Sequence, residues 1–496
     1  MIITATIQQV SPCFLAVDQG TSSIRARLYD HQCNPIHSSL AQRQLSLHTT
    51  PDGGAEMDPE ALIAALLSCL DEINRIADSL HLSIQAAGIS AIWHSMLGID
   101  KEGRPLTPII TWADTRPQSV IAELKGMPGS ANWSARTGCP LHCSFLPAKL
   151  LWLQRSSPKI FQSVSRWISP GEYIIQRLCG QSACSLSMAS GTGLLDQLQD
   201  EWNAEILAAI GMDADRLSPL VDYNETLLRL TPDLRRRWPA LADAVWQAAA
   251  GDGACANLGS GCTDKTRWAL TLGTSGAIRV MESAKYEPPP PSLWRYRLDR
   301  RRTLLGGALS NGGNLMDWFQ RNLILPKPAE LEQDLSQREP GSHGLIFASY
   351  LAGQRSPFWD GAARGEIYGL TLHTDAVDLV QAGIEAVAIH FARIAEGIVS
   401  VVGRPHQIVG GGNALVSSPA WAQMICDAIG LPLCATSDAE ASLRGAALLA
   451  METMGISTEV PSDPAARILY PDPERMKVFQ CERDRQEHRM SSVLRE

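Results

Sequence analysis

Apolar and polar positions along the chain switch between two periods. Phe14 to Val17 form a short apolar run that stops on Asp18, turns through Gly20-Thr21-Ser22-Ser23, and resumes with Ile24, Ala26 and Leu28 alternating with Arg25, Arg27 and Tyr29. A period of two on either side of a glycine-bearing turn predicts a strand, a hairpin and a second strand. The stretch MDPEALIAALLSCLDEINRIA (57–77) changes to helical spacing and opens on an Asp-Pro cap. LHLSIQAAGISAIW (80–93) holds a further strand. This alternation predicts an α/β layer architecture.

The second half repeats the opening grammar. ALTLGTSGAIRVME (269–282) is again an apolar strand, a Gly-Thr-Ser turn and an alternating strand with arginine. The two turns, at Gly20 and Gly273, lie roughly 250 positions apart, about half the chain. A duplicated domain would set two such hairpins face to face across a cleft, which suits a nucleoside triphosphate. Further on, HQIVGGGNALVSSPAWAQMICDAIGLPL gives a strand, a triple glycine and a helix. Gly411, Gly412 and Asn413 there could carry a flat ring on backbone at a helix N-terminus, and a plain tight turn fits as well. DAEASLRGAALLAME (438–452) predicts a small-residue helix packed beneath that loop. The charged C-terminal tail is expected as a surface helix without chemistry.

At 496 residues the chain exceeds one hydrophobic core, so two domains are expected. The composition shift through WQAAAGDGACANLG puts the boundary at 247, giving domains 1–247 and 248–496. With 45% hydrophobic and 19% charged residues and a net charge of −9, the chain is of ordinary globular composition, and neither nucleic acid nor a membrane surface is an expected partner. The runs RRR (235–237) and RYRLDRRR (295–302) read as solvated faces. MIITATIQQVSP has no basic segment ahead of an apolar core, so no signal peptide is expected. No apolar run approaches the ~20 residues of a membrane helix. Twelve scattered cysteines suit a reducing cytoplasm. Cys139, His142 and Cys143 lie close in TGCPLHCSF, but a metal site would want a fourth ligand and a second pair, so structural thiols beside a histidine are expected.

Phosphoryl transfer asks for a positioned hydroxyl, donors around the phosphates and Mg²⁺, with little covalent work by the protein. Asp252, in AGDGACANLG, opens a small-residue helix at the inferred junction. It could be an N-cap or a general base accepting the proton of a substrate hydroxyl. Asp18 would hold Mg²⁺ directly or through water. Gly20, Thr21, Ser22 and Arg25 would meet the phosphates from one hairpin, Gly273 and Thr274 from the other. His94 follows a strand and fits a core histidine or a site residue. Trp112, Asp114 and Arg116 in IITWADTRP fit an internal ion pair, and Lys149 in LPAKLLWLQ a structural lysine.

Taken together these segments resemble the FGGY family of carbohydrate kinases from about residue 14 to about 455. AVDQGTSSIRA is similar to its first phosphate motif, AGDGACANLG to its catalytic-base segment, LTLGTSG to its second phosphate motif and GGGNALVSSPAW to its adenosine loop. TWADTR, LPAKLLWL, SPGEYIIQRLCG, SMASGTGLLD and YLAGQRSPFWDGAARGEIYGLTLHTDAVDLVQAGIEAVA keep the family order. The resemblance implies two actin-like, ribonuclease-H-like α/β domains with ATP and sugar in the cleft between them, ATP and Mg²⁺ as cofactors, and a homodimer as one family arrangement. Glycerol kinases carry Arg-Glu where this chain has Trp93-His94, and Gln where it has Gly253, so both positions point away from glycerol. WHSMLGID, TGCPLH, DGACANLG, GTSGAIR and GGALSNGGNLMDWF are more similar to gluconate kinases. The expected substrate is therefore D-gluconate, with Trp93, His94, Asp114, His142, Asp252, Gly253 and Asn311 on the substrate side. The alternatives are a ketopentose kinase and a non-catalytic actin-like nucleotide sensor.

Overall fold

The computed structural model describes residues 11–225, 227–283, 285–437, 440–461 and 463–493. The signal-peptide reading, and the first two residues of the 438–452 helix, lie outside the described residues. The chain divides into two compact units. One comprises Met1–Gly261, Tyr296–Arg302 and Glu440–Pro461, the other Cys262–Arg295, Thr303–Ala439 and Ser462–Glu496.

In the first unit the strands are β1 (Ser11–Gln19), β2 (Ser23–Tyr29), β3 (Ala41–Gln44), β4 (Leu82–Ala91), β5 (Val245–Trp246) and β6 (Ala250–Gly251). Their order is β5-β4-β1-β2-β3, with β6 also on β4. β1 runs parallel to β4 and antiparallel to β2. Leu15, Ala16 and Val17 are all fully buried, as a central strand covered on both faces requires. The helix Pro59–Ser79 lies against this sheet through Leu62, Leu66, Cys69, Leu70 and Ile73. Each such Leu or Ile contributes about 1.5–3 kcal/mol by leaving water. The cap read from Asp-Pro is present: Asp58 accepts from the backbone of Glu60 at 2.8 Å.

The second unit carries β7 (Arg267–Leu272), β8 (Gly276–Glu282), β9 (Thr303–Leu309), β10 (Gln407–Gly411), β11 (Leu433–Ala435) and β12 (Arg467–Leu469). Their order, β9-β8-β7-β10-β11-β12, repeats the first sheet's pattern of an antiparallel hairpin joined to parallel neighbours. The 27-residue helix Ala376–Val402 starts on a reciprocal Asp375–Asp378 capping box. Its Phe391 and Ile394 belong to the buried core that also holds Leu270, Phe319 and Trp421.

Three sequence readings change. The Asp252 segment belongs to the first unit, because Ala250 and Gly251 pair with Ser90 and Ala91 of β4, so the division falls after Gly261 and not at 247. The small-residue helix, Ala441–Thr453, packs on the Asp252–Gly259 helix and on β1 and β4 of the first unit, whereas the triple glycine belongs to the second. The run 295–302 is largely internal: Tyr296, Arg297 and Asp299 are all buried. Its charges are neutralised there. Asp299 accepts from the backbone of Arg301 and Arg302 and pairs with the Arg302 guanidinium at 2.7 Å, which in turn pairs with Glu452 at 2.7 Å. The run 235–237 is exposed, as read.

Candidate active site

In the first unit, three parallel strand ends lie side by side. The register sets Asp18 beside Ser90 and Ser90 beside Ala250, then Gln19 beside Ala91 and Ala91 beside Gly251. Asp18 and the start of the Asp252–Gly259 helix thus leave the same sheet edge two strand spacings apart, about 10 Å. The carboxyl ends of parallel strands are where open α/β sheets bind ligands. Asp252 is half-buried, with Gly251 as the extended residue preceding the helix. One of its oxygens accepts from the backbone of Gly253 at 2.8 Å. Burial, then the carboxylates of Asp18 and Asp252, hold the Cys255 thiol well above its usual range.

Asp18 is almost fully buried. One oxygen accepts from the Ser90 hydroxyl at 2.6 Å and the other pairs with Arg25 at 2.6 Å. Arg25 pairs with Glu440 through its second terminal nitrogen at 2.9 Å. Arg25, expected on a phosphate, is therefore committed to two carboxylates, a partnership that sequence reading missed. In the hairpin between β1 and β2, Gly20 donates to the Ser23 carbonyl at 3.0 Å, Ser22 is exposed, and the Thr21 hydroxyl accepts from the Trp112 indole at 3.1 Å.

Trp93 and His94 form an aromatic corner beside Asp252. The indole donates to the Ser187 carbonyl at 2.9 Å, and its ring meets Tyr296 edge-on at 5.0 Å. His94 has φ 57°, a left-handed backbone that few non-glycine residues adopt. Its ring lies 4.9 Å from Phe145 and 5.4 Å from Tyr296, and Nδ1 is held by the Gly191 carbonyl. Gly251 packs so tightly on Trp93 that an added methyl would stand 1.9 Å from the indole. Tyr296 went unrecognised in the sequence because it reaches this corner from 200 positions downstream.

The other first-unit candidates are buried. Asp114 is fully buried, accepts from the backbone of Ala55 at 3.1 Å and pairs with Arg116, the internal ion pair that its neighbours suggested. Lys149, also fully buried, donates to the carbonyls of His94 and, at 2.7 Å, Thr111. Burial pushes its amine down to about 7. His142 is buried, with Nδ1 2.8 Å from the Ser144 hydroxyl. Gly253 is buried at the start of its helix.

The second unit gathers glycine-bearing segments at the end of β7. Gly273 accepts from the backbone of Gly313 at 2.7 Å and Thr274 from that of Asn314 at 3.1 Å, so the hairpin and the N-terminus of the Gly313–Asn322 helix close on one another. Thr274 is exposed. Gly411 pairs with Thr271. Gly412 has φ 99°, and a methyl there would stand 2.5 Å from the Leu272 carbonyl. Asn413, exposed, opens the next helix. Asn311 is buried, and its Oδ1 has no hydrogen-bond partner among the described residues.

Comparison with known proteins accounts for both units. The N-terminal domain model of the FGGY family of carbohydrate kinases matches residues 13–259, and the C-terminal domain model matches residues 268–454. The chain is 27% identical to a gluconokinase of Bacillus subtilis (strain 168) over 89% of its own length and 87% of that protein. It is 25% identical to a xylulose kinase of Staphylococcus xylosus, covering 88% and 90%. A gluconate kinase from Lactobacillus acidophilus superposes with a TM-score of 0.87 at 26% identity, covering 97% of this chain and 98% of that one. With its two halves matched in order by the family's two domains, the chain belongs to the FGGY family of carbohydrate kinases and is an ATP-dependent sugar kinase of the two-domain, actin-like fold.

Proposed function

We propose that this kinase transfers the γ-phosphate of ATP to the terminal hydroxyl of D-gluconate, giving 6-phosphogluconate and ADP. Asp252 accepts the hydroxyl proton as the oxygen attacks phosphorus and the bond to ADP breaks. The observation that carries this reading is the carboxylate of Asp252 at the β6 strand end, with the Trp93–His94 corner packed on the preceding Gly251. Trp93, His94, His142, Gly253 and Asn311 form the substrate side, with Asp114 holding it from within. Gly20, Thr21, Ser22, Gly273 and Thr274 attend the phosphates, and Gly411, Gly412 and Asn413 the adenosine.

The described residues contain no group of three or more metal-ligating side chains. A single carboxylate nevertheless fits Mg²⁺, which keeps waters and takes its other oxygens from nucleotide phosphates. Asp18 would hold it, and the ion would neutralise charge on the phosphates. A reducing, cytoplasmic setting suits twelve cysteines that form no disulfide. No helix among the described residues is long and apolar enough to cross a membrane.

Gluconate is favoured by the gluconokinase of Bacillus subtilis and the gluconate kinase of Lactobacillus acidophilus. A ketopentose kinase is the second reading, since a xylulose kinase from Lactobacillus acidophilus superposes equally well, with a TM-score of 0.88 at 26% identity over 97% of this chain and 98% of that one. The deciding assay is ADP release from ATP with gluconate, xylulose, ribulose, fuculose or glycerol. Gluconate should give the highest kcat/KM. Preference for xylulose would overturn the substrate, and tight ATP binding without turnover of any acceptor would leave a nucleotide sensor.

A further inference from the structure

The helix Ala441–Thr453 serves both acid-bearing elements of the first unit. A methyl on its Gly445 would stand 1.9 Å from the Cys255 carbonyl of the Asp252 helix, and one on Gly259 would stand 1.9 Å from the Ala441 carbonyl. Backbone packed on backbone in this way leaves no room for sliding. Glu440, the residue immediately before that helix, pairs with Arg25 at 2.9 Å, and Arg25 pairs with Asp18 at 2.6 Å. The side chains of Glu440, Arg25 and Asp18 are only 19%, 22% and 4% exposed. Charge-assisted bonds sheltered to that degree are stronger and more directional than surface pairs. Ser90 fixes the remaining Asp18 oxygen.

We propose that Glu440 is a positioning residue for phosphoryl transfer. Through Arg25 it sets the carboxylate of Asp18, while the helix it precedes sets the segment of Asp252, so one element keeps the two acids in step. Glu440 acts through another side chain and touches neither ATP nor acceptor. The role rests on the kinase reading above, with Asp18 beside the nucleotide's metal. A merely stabilising ion pair would lower the melting temperature and leave the kinetic and metal-binding pattern alone.

The test compares Glu440→Gln, Glu440→Ala, Arg25→Ala and the double variant Glu440→Ala/Arg25→Ala. The Glu440 variants should melt close to the wild type, bind ADP without divalent ion as the wild type does, and keep the acceptor KM. They should lose about 10- to 100-fold in kcat and a similar factor in Mn²⁺ affinity of the ADP complex, read from the electron paramagnetic resonance of free Mn²⁺. The double variant should be no worse than Arg25→Ala alone. Wild-type kcat and Mn²⁺ affinity in folded Glu440→Ala, or losses that multiply in the double variant, would overturn the proposal. If Glu440→Ala does not fold, Glu440→Gln carries the same comparison. If the wild-type protein turns over none of the five acceptors, the kinase reading fails, and the Mn²⁺–ADP titration still decides whether Glu440 governs Asp18.

Discussion

Gly251 and the indole of Trp93 are in direct van der Waals contact, with no space for a β-carbon between them. The contact ties the sheet edge that delivers Asp252 to the corner that carries His94. Gly251→Ala must therefore push either the ring or the strand aside. Overpacking of this kind costs about 1–3 kcal/mol, and the greater effect should be on chemistry. A drop in kcat of about 100-fold is expected, because a shift of about 1 Å in a reacting group is worth that much. Steady-state kinetics beside a urea melt would separate the two effects, and an alanine variant with wild-type kcat would show that the contact is incidental.

Asp252→Asn keeps shape and removes the base. Turnover should fall by at least about 100-fold, with ATP affinity by calorimetry little changed. Unchanged turnover would refute the role.

Lys149 answers to the carbonyls of His94, Ile110 and Thr111. Lys149→Met takes the ammonium from all three; the carbonyls of Ile110 and Thr111 keep the backbone N–H groups of Met96 and Asp114, so the main loss is the bond to the His94 carbonyl, at about 1–3 kcal/mol. A lower melting temperature and a raised acceptor KM are expected together, because the His94 backbone loses its tether. A variant that melts earlier with an unaltered KM would limit Lys149 to stability.

His390 gives the second unit a pH dependence. It is buried, stacks on Tyr350 and stands 3.2 Å from the tyrosine hydroxyl. Burial, with the Arg393 charge nearby, pushes its imidazole down to about 3 from the usual 6.5. The unfolded chain therefore takes up a proton below pH 6.5 that the folded protein refuses. Stability is full above that pH and is lost as pH falls towards 3. Between pH 7.5 and 5.5 the loss from this group is about 1 kcal/mol. Urea midpoints across that range should fall in the wild type and fall less in His390→Gln, and parallel slopes would assign the titration elsewhere.

What could be read from the sequence was local. The β1–β2 hairpin, the Asp58 cap and the acid at 252 each declare themselves within a few residues, through a period, a cap or a glycine beside a charge. What escaped was long-range pairing. Arg25 looked like a phosphate ligand because its hairpin stood alone, whereas its partner Glu440 lies 415 positions away. The run 295–302 looked solvated for the same reason, since the Glu452 that pairs with Arg302 lies 150 positions away. Asp114 drew notice as a polar residue among apolar ones, and in the structure that setting is a buried ion pair.

The first unit borrows Tyr296–Arg302 and Glu440–Pro461 from far downstream. On the ribosome, that body cannot be completed when its first 261 residues emerge, since Tyr296 and the Ala441–Thr453 helix are still unmade. The ring of Trp93 waits for Tyr296, and the backbone of the Asp252 helix stays uncovered until nearly the entire polypeptide is released. A gene cut after Gly261 would yield a fragment with those surfaces bare and prone to aggregate.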